Sequence, residues 1–314
     1  MSEHKNIEKW TAQDITSQAG RVAIVTGANS GLGFFTSKAL AMKEARVIMA
    51  CRNLEKGEEA RQKILQMNPV HAPEVWHLDL ASLNSVNEFA RKFKSSFKGL
   101  DLLINNAGLM AIPYGKTEDG FEMQFGVNYL GHFALTSHLW PLLLETARAR
   151  IINVSSLAHR MGSIRFDDLH WEKDYSKWGA YAMSKLSNLL FTIELARRFT
   201  TSGIEMIAAA AHPGYADTEL QAKGAKMNGS RFGAGSFNLV NRIVAQSAEK
   251  GALPTLYAAT AEDVDQGGYY GPDGFMRLAG WPSPERPSKK RVNDQVAGRL
   301  WELSEELTGL RIPI

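Results

Sequence analysis

Cysteine is almost missing from this sequence. Among 314 residues only Cys51 carries a thiol, so an intramolecular disulfide and a cysteine cluster for a metal are both excluded, which suits a reducing compartment. An excess of one charge is missing too: 36 Lys and Arg against 33 Asp and Glu leave a net charge of +3, too slight to imply a nucleic-acid partner. The one compact basic run, Lys289-Lys290-Arg291, reads as a solvated helix start. No uncharged apolar stretch is long enough to span a bilayer, and Met1 to Trp10 is polar, without the apolar run of a signal peptide. A cytoplasmic protein with no membrane span is expected. No repeat, low-complexity tract or linker argues for a second domain.

What is present is an alternation of short apolar, β-branched runs with segments of helical spacing. The run Arg21 to Thr26 ends in Gly27-Ala-Asn-Ser-Gly-Leu-Gly33, and a helix follows from about Leu32 to Lys43. Gly27 can take the positive φ of a tight turn, while Gly31 and Gly33 let a phosphate-bearing ligand and the following helix approach closely. The helix N-terminus offers unpaired N–H groups to a pyrophosphate. The next run, Arg46 to Ala50, stops at Cys51-Arg52-Asn53. An acidic residue there would bind the ribose hydroxyls of NAD; Arg52 instead offers a planar fork suited to a 2′-phosphate, which favours NADP(H) over NAD(H).

Further strands are read at Glu74 to Leu78, leading to Asp79-Leu80, and at Leu100 to Ile104, leading to Asn105-Asn-Ala-Gly108. Two more run from Arg150 to Ser156 and from Ile204 to Ala209, the latter reaching His212-Pro-Gly214. Asp79 could accept a hydrogen bond from an adenine amine or serve as a turn residue. Asn128 lies in an apolar helix and needs partners if buried; His132, lacking partners at metal spacing, reads as structural. The fold expected is α/β: one doubly wound parallel sheet of about seven strands with helices on both faces. Its boundaries are a lead-in at 1–20 and one domain at 21–314, with a substrate-loop segment at about 215–247. Gly27, Arg52, Asp79, Asn105, Ser156 and Pro213 all lie at strand carboxyl ends, where open α/β sheets bind ligands.

Tyr181 and Lys185 stand four residues apart in a helical pattern and therefore share a face. A lysine cation there is expected to favour ionisation of the phenol, whose unperturbed pKa is about 10, and so to make a proton donor and acceptor near neutral pH.

Taken in order, Thr26-Gly-Ala-Asn-Ser-Gly-Leu-Gly33, Asp79, Asn105-Asn-Ala-Gly108, Asn128, Ser156, Tyr181-Ala-Met-Ser-Lys185 and Pro213-Gly214 with Thr218 resemble the short-chain dehydrogenase/reductase family over nearly the whole chain. Ala50-Cys-Arg-Asn53, Asn153 to His159, Phe166-Asp-Asp-Leu and the 25 residues from Ser156 to Tyr181 look like its retinol dehydrogenase branch. WW-domain oxidoreductases and protochlorophyllide reductases are close to that branch. The resemblance implies a Rossmann fold in which Tyr181 exchanges a proton with the substrate oxygen and Lys185 holds the nicotinamide ribose. Ser156 would bond the reacting oxygen, with Ser155 left a structural role, and Asn128 would hold a water linking Lys185 to solvent. Cofactor contacts are expected from Gly27, Asn29, Ser30, Gly31, Leu32, Gly33, Arg52, Asn53, Asp79, Leu80, Asn106, Ala107, Gly108, Tyr181, Lys185, Pro213, Gly214 and Thr218, and no metal is expected.

The activity implied is NADP(H)-linked interconversion of an apolar aldehyde or ketone with its alcohol. Phe166, Trp171 and Trp178 would form one apolar substrate wall and the glycine-rich 219–236 segment the other. Reduction of a carbon–carbon double bond is the enzymatic alternative, and a nonenzymatic NADP sensor or scaffold the alternative of another class. A homodimer or homotetramer follows by family analogy alone.

Overall fold

The computed structural model describes residues 9–215, 246–287 and 291–314. Thr218, most of the expected substrate-loop segment and Lys289-Lys290 lie outside them.

One eight-stranded sheet runs through the molecule in the order β3-β2-β1-β4-β5-β6-β7-β8. Its strands are β1 (Val22–Thr26), β2 (Arg46–Cys51), β3 (Glu74–His77), β4 (Leu102–Asn105), β5 (Arg150–Val154), β6 (Ile207–Ala211), β7 (Tyr269–Pro272) and β8 (Pro282–Pro284). All neighbours pair in parallel except β8, which runs antiparallel to β7. The sheet has one strand more than the seven expected. Two prolines in Pro282-Ser-Pro284 hid β8, since proline tolerates a strand only where its missing N–H is not needed, as at an edge. β6 begins three residues later than expected. Helix α5 (Lys177–Ser202) ends on Gly203 at φ +66°, and the chain needs Ile204 to Met206 to return to the sheet.

Both faces of the sheet are buried, as parallel pairing with crossover helices demands. Side chains alternate between them: Ile24, Ile48, Leu103 and Ile151 join one apolar layer, and Ala23, Val25, Val47 and Met49 join the other. The first layer packs against α3 (Leu83–Ser96), α4 (Gly131–Leu144), α5 and α7 (Asp294–Thr308); the second packs against α1 (Gly31–Met42), α2 (Leu54–Leu65) and α6 (Leu253–Thr260). Side-chain oxygens of Asn53, Ser82, Ser176 and Asn293 cap α2, α3, α5 and α7 by accepting a backbone N–H of the first turn. Among the described residues no helix is long and apolar enough to cross a membrane.

Because seven strands point the same way, their carboxyl ends share one edge. Gly27, Arg52, Asn106, Ser155 and His212 follow directly on β1, β2, β4, β5 and β6 and are brought together there.

Candidate active site

The glycine turn after β1 is built by close contact. Gly27 and Gly31 take φ of +66° and +54°, values that disfavour any residue with a Cβ. A Cβ on Gly33 would lie 2.4 Å from the Gly27 carbonyl oxygen and 2.6 Å from Asn106 Nδ2, so glycine is required for α1 to pack on the turn. Ser30 is the N-cap residue of α1, and its side chain makes no capping bond. Asn29 and Ser30 instead border a recess of about 230 Å³ shared with Lys56, Glu59, Ala60 and Lys63 of α2. Leu32 is half-buried on the first turn of α1.

The neighbouring loops are stapled to this turn. The Thr26 hydroxyl accepts the backbone N–H groups of Asn106 and Ala107, both at 2.9 Å, and Asn106 Nδ2 donates to the Thr26 carbonyl at 2.7 Å. Asn53 Oδ1 accepts from Lys56 N and Asp79 Oδ1 from Ala81 N, so both side chains shape their own turns. Leu80 is buried, with its carbonyl against Gly131. Arg52 is exposed at the end of β2. The Cys51 thiol is buried beside the backbone of Ala28 and Asn29, and burial raises its pKa to about 11.

Tyr181 and Lys185 lie one turn apart on α5, both buried. Trp178, 52% exposed, stands edge-on to Tyr181 at 6.2 Å. Lys185 Nζ donates to the Val154 carbonyl at 3.0 Å and sits 6.0 Å from the Tyr181 ring centre. Ser156 caps the 3-10 turn Leu157–Met161 by accepting the Ala158 N–H, and its hydroxyl faces the Tyr181 phenol. Ser155 is turned elsewhere, donating to the Lys185 carbonyl at 2.7 Å.

The expected ionisation of Tyr181 is not what this geometry gives. Burial raises the phenol pKa above its ordinary value, and the neighbouring Ser156 hydroxyl only partly offsets it. Burial likewise lowers Lys185 from 10.5 to about 8. Desolvation, the largest influence on both groups, disfavours whichever form is charged, and here it outweighs the attraction on which the helical spacing rests.

Asn128 lies in a π-helical turn, Gly126–Leu130, entering α4. Its Nδ2 donates to Leu109 O and Ser184 Oγ, both at 2.9 Å, and its Oδ1 accepts the Leu109 N–H at 2.6 Å. A Cβ on Gly108 would come within 3.2 Å of Asn128 Oδ1 and 3.3 Å of Lys185 Nζ. His132, read from sequence only as structural, joins these parts: Nδ1 bonds the Asn128 carbonyl at 3.0 Å and Nε2 the Thr26 hydroxyl at 2.9 Å. Complete burial holds it neutral, with a pKa of about 4. Beyond β6, Pro213 O accepts from Gln246 Nε2, and Gly214 sits at φ +67°.

The expected aromatic wall is corrected. Trp171 is buried in the core against Gly179, and Phe166 packs on that core beneath the Arg299 guanidinium, 4.0 Å from its ring centre. Of the three only Trp178 stands beside Tyr181. Aromatic content marks a loop as apolar without saying which of its faces meets the core.

Residues 21–229 match the family model described as short chain dehydrogenase. The chain belongs to that family. It is 45% identical over 296 residues to "Retinol dehydrogenase 13" of Homo sapiens, covering 94% of this chain and 86% of that protein. To "Retinol dehydrogenase 11" of Mus musculus it is 43% identical over 294 residues, covering 93% and 88%. A crystal structure of an uncharacterized Mycobacterium paratuberculosis protein superposes with a TM-score of 0.80 at 42% identity, covering 98% of this chain and 100% of that one. The fold also matches the NADP active-site complex of Pseudomonas aeruginosa RhlG, with a TM-score of 0.63 at 22% identity over 81% of this chain and 94% of that one. As a short-chain dehydrogenase the protein is an oxidoreductase of a family that binds a nicotinamide cofactor and acts on small molecules. The glycine turn, the α1 N-terminus without a side-chain cap, and the space over Gly108 that any Cβ would narrow all fit such a cofactor.

Proposed function

We propose that this short-chain dehydrogenase is NADP(H)-dependent and interconverts an apolar aldehyde or ketone with the corresponding alcohol, using Tyr181 as general acid and base. The observation that carries the reading is the buried Tyr181 phenol, beside the Ser156 hydroxyl and one helical turn from Lys185. A high phenol pKa keeps Tyr181 protonated at neutral pH, the form a general acid for carbonyl reduction requires.

When bound, the nicotinamide supplies or takes up hydride at its C4 atom. The protein's own residues do the rest. Ser156 Oγ orients the substrate oxygen and Tyr181 Oη gives it a proton, which it recovers in the reverse direction. Lys185 Nζ, already anchored on Val154 O, has donors left for the nicotinamide ribose. Asn128 holds the 109 segment in place and stands beside Lys185 where a water would connect to solvent. Backbone groups of Gly27 to Gly33, Ala107, Gly108, Pro213 and Gly214 would contact the cofactor. Thr218 completes the expected set.

NADP(H) is favoured by Arg52 at the end of β2, where no carboxylate stands to repel a 2′-phosphate. The NADP named with RhlG agrees with that choice. Retinol, in the names of the curated relatives, is an apolar alcohol, and the exposed face of Trp178 beside Tyr181 suits such a substrate.

Assay of an aldehyde and ketone panel with NADPH, using wild type and Tyr181→Phe, tests the proposal. Loss of about 100-fold or more in kcat with NADPH binding retained is expected. A loss of no more than about twofold contradicts the assigned acid, and NADPH binding without turnover on any carbonyl favours a sensor.

A further inference from the structure

Behind the reaction centre lies a buried polar group that the proposed chemistry leaves unused. His212 is fully buried. Its ring is tilted against Tyr269 at 5.2 Å and fills the space over Gly271, where an added Cβ would lie 1.9 Å from Nε2. The Gly214 N–H points at Nδ1 from 3.1 Å, and Nε2 lies 2.7 Å from Glu285 Oε2. A backbone N–H can only donate. Nδ1 is therefore the unprotonated nitrogen, and Nε2 carries the proton given to the carboxylate.

Glu285 follows β8, and its backbone N–H donates to Tyr269 O at 2.7 Å. Its second carboxylate oxygen, Oε1, accepts from Arg160 Nη2 at 2.8 Å. Arg160 belongs to the 3-10 turn that Ser156 caps, and within that turn His159 Nδ1 bonds the Ser156 carbonyl at 2.7 Å. One buried carboxylate thus reaches two loops: the Pro213–Gly214 turn through His212, and the Ser156 turn through Arg160. Burial alone would raise the Glu285 pKa, but the bonds from His212 and Arg160 prevail and lower it below the usual carboxylate range.

We infer that Glu285 is a positioning residue. It fixes the His212 tautomer that holds the Pro213–Gly214 turn and at the same time anchors the turn carrying Ser156, so that the residue following β8 sets the spacing between nicotinamide and reacting oxygen. The inference rests on the coenzyme reading above and extends it to a residue 73 positions from His212. An acceptor-only carboxylate suits two facing donors. Glutamine in its place must turn an N–H toward either His212 Nε2–H or Arg160, and one of the two links breaks.

The test compares wild type and Glu285→Gln in binding NADPH and 2′-phospho-ADP-ribose, the same molecule without its nicotinamide ring. Affinity of the variant for NADPH is expected to fall about tenfold, with the fragment bound as before. An unchanged NADPH affinity, or an equal loss for both ligands, overturns the inference, the second result marking a merely structural residue. Wild type that binds neither molecule refutes the coenzyme reading itself. Heteronuclear NMR of the His212 imidazole in the ligand-free wild type provides a readout that needs no variant. Protonated Nε2 with bare Nδ1 is expected; protonated Nδ1 overturns the clamp.

Discussion

Lys185 Nζ and Asn188 Nδ2 converge on a single acceptor, the carbonyl oxygen of Val154, each at 3.0 Å. The lysine is therefore not needed to satisfy that carbonyl, yet it is held as a buried cation whose pKa has fallen from 10.5 to about 8.

Such a cation weakens the fold. A fall from 10.5 to about 8 corresponds to about 3 kcal/mol at about 1.4 kcal/mol per unit. The unfolded chain binds the extra proton between those pH values, so the penalty is complete below pH 8 and fades as pH rises toward 10.5. Lys185→Met should abolish turnover while raising unfolding stability at neutral pH by ~1–3 kcal/mol, a gain that shrinks on alkalinisation. Urea denaturation of both proteins at neutral and alkaline pH checks it.

His132 sets the opposite limit. Its folded pKa of about 4 lies below the ordinary 6.5, so only the unfolded chain takes up the proton between those values. Stability should fall as pH drops from about 6.5 toward 4, losing up to about 3 kcal/mol. His132→Leu removes this acid arm. It also removes the nearer partner of the Thr26 hydroxyl, leaving only the Ile104 carbonyl at 3.4 Å, for a cost of about 1–3 kcal/mol near neutrality. Unfolding free energies across the acid range distinguish the two effects.

Glycines in two environments give a paired prediction. Gly33→Ala drives a methyl into the Gly27 carbonyl and Asn106, which should cost about 2 kcal/mol or more and weaken coenzyme binding. Gly298→Ala in α7 meets nothing within 4 Å and should stabilise by about 0.5–1 kcal/mol without touching activity. Thermal melts and NADPH titrations of both variants decide this.

The features legible in the sequence are local ones. The glycine turn, the strand ends and the Tyr181–Lys185 pair depend on spacings of a few residues, and helical or strand periodicity transmits those directly. Contacts across the fold were not readable. Thr26 and His132 are 106 positions apart, so a histidine without metal partners offered no sign of the residues it joins. Glu285 lies just after a strand disguised by two prolines, and nothing in Pro284-Glu285 indicates a buried carboxylate. The protonation of Tyr181 is not legible in the sequence, because spacing shows that two groups are neighbours but not how dry their surroundings are.

Titration of wild type and Arg52→Asp with NADPH and NADH tests the choice of cofactor most directly. Wild type is expected to prefer NADPH by about tenfold or more, because only NADPH forms the charge-assisted Arg–phosphate pair, and the preference is expected to reverse in the variant. Equal binding, or a wild-type preference for NADH, would contradict it and assign Arg52 no part in holding the coenzyme.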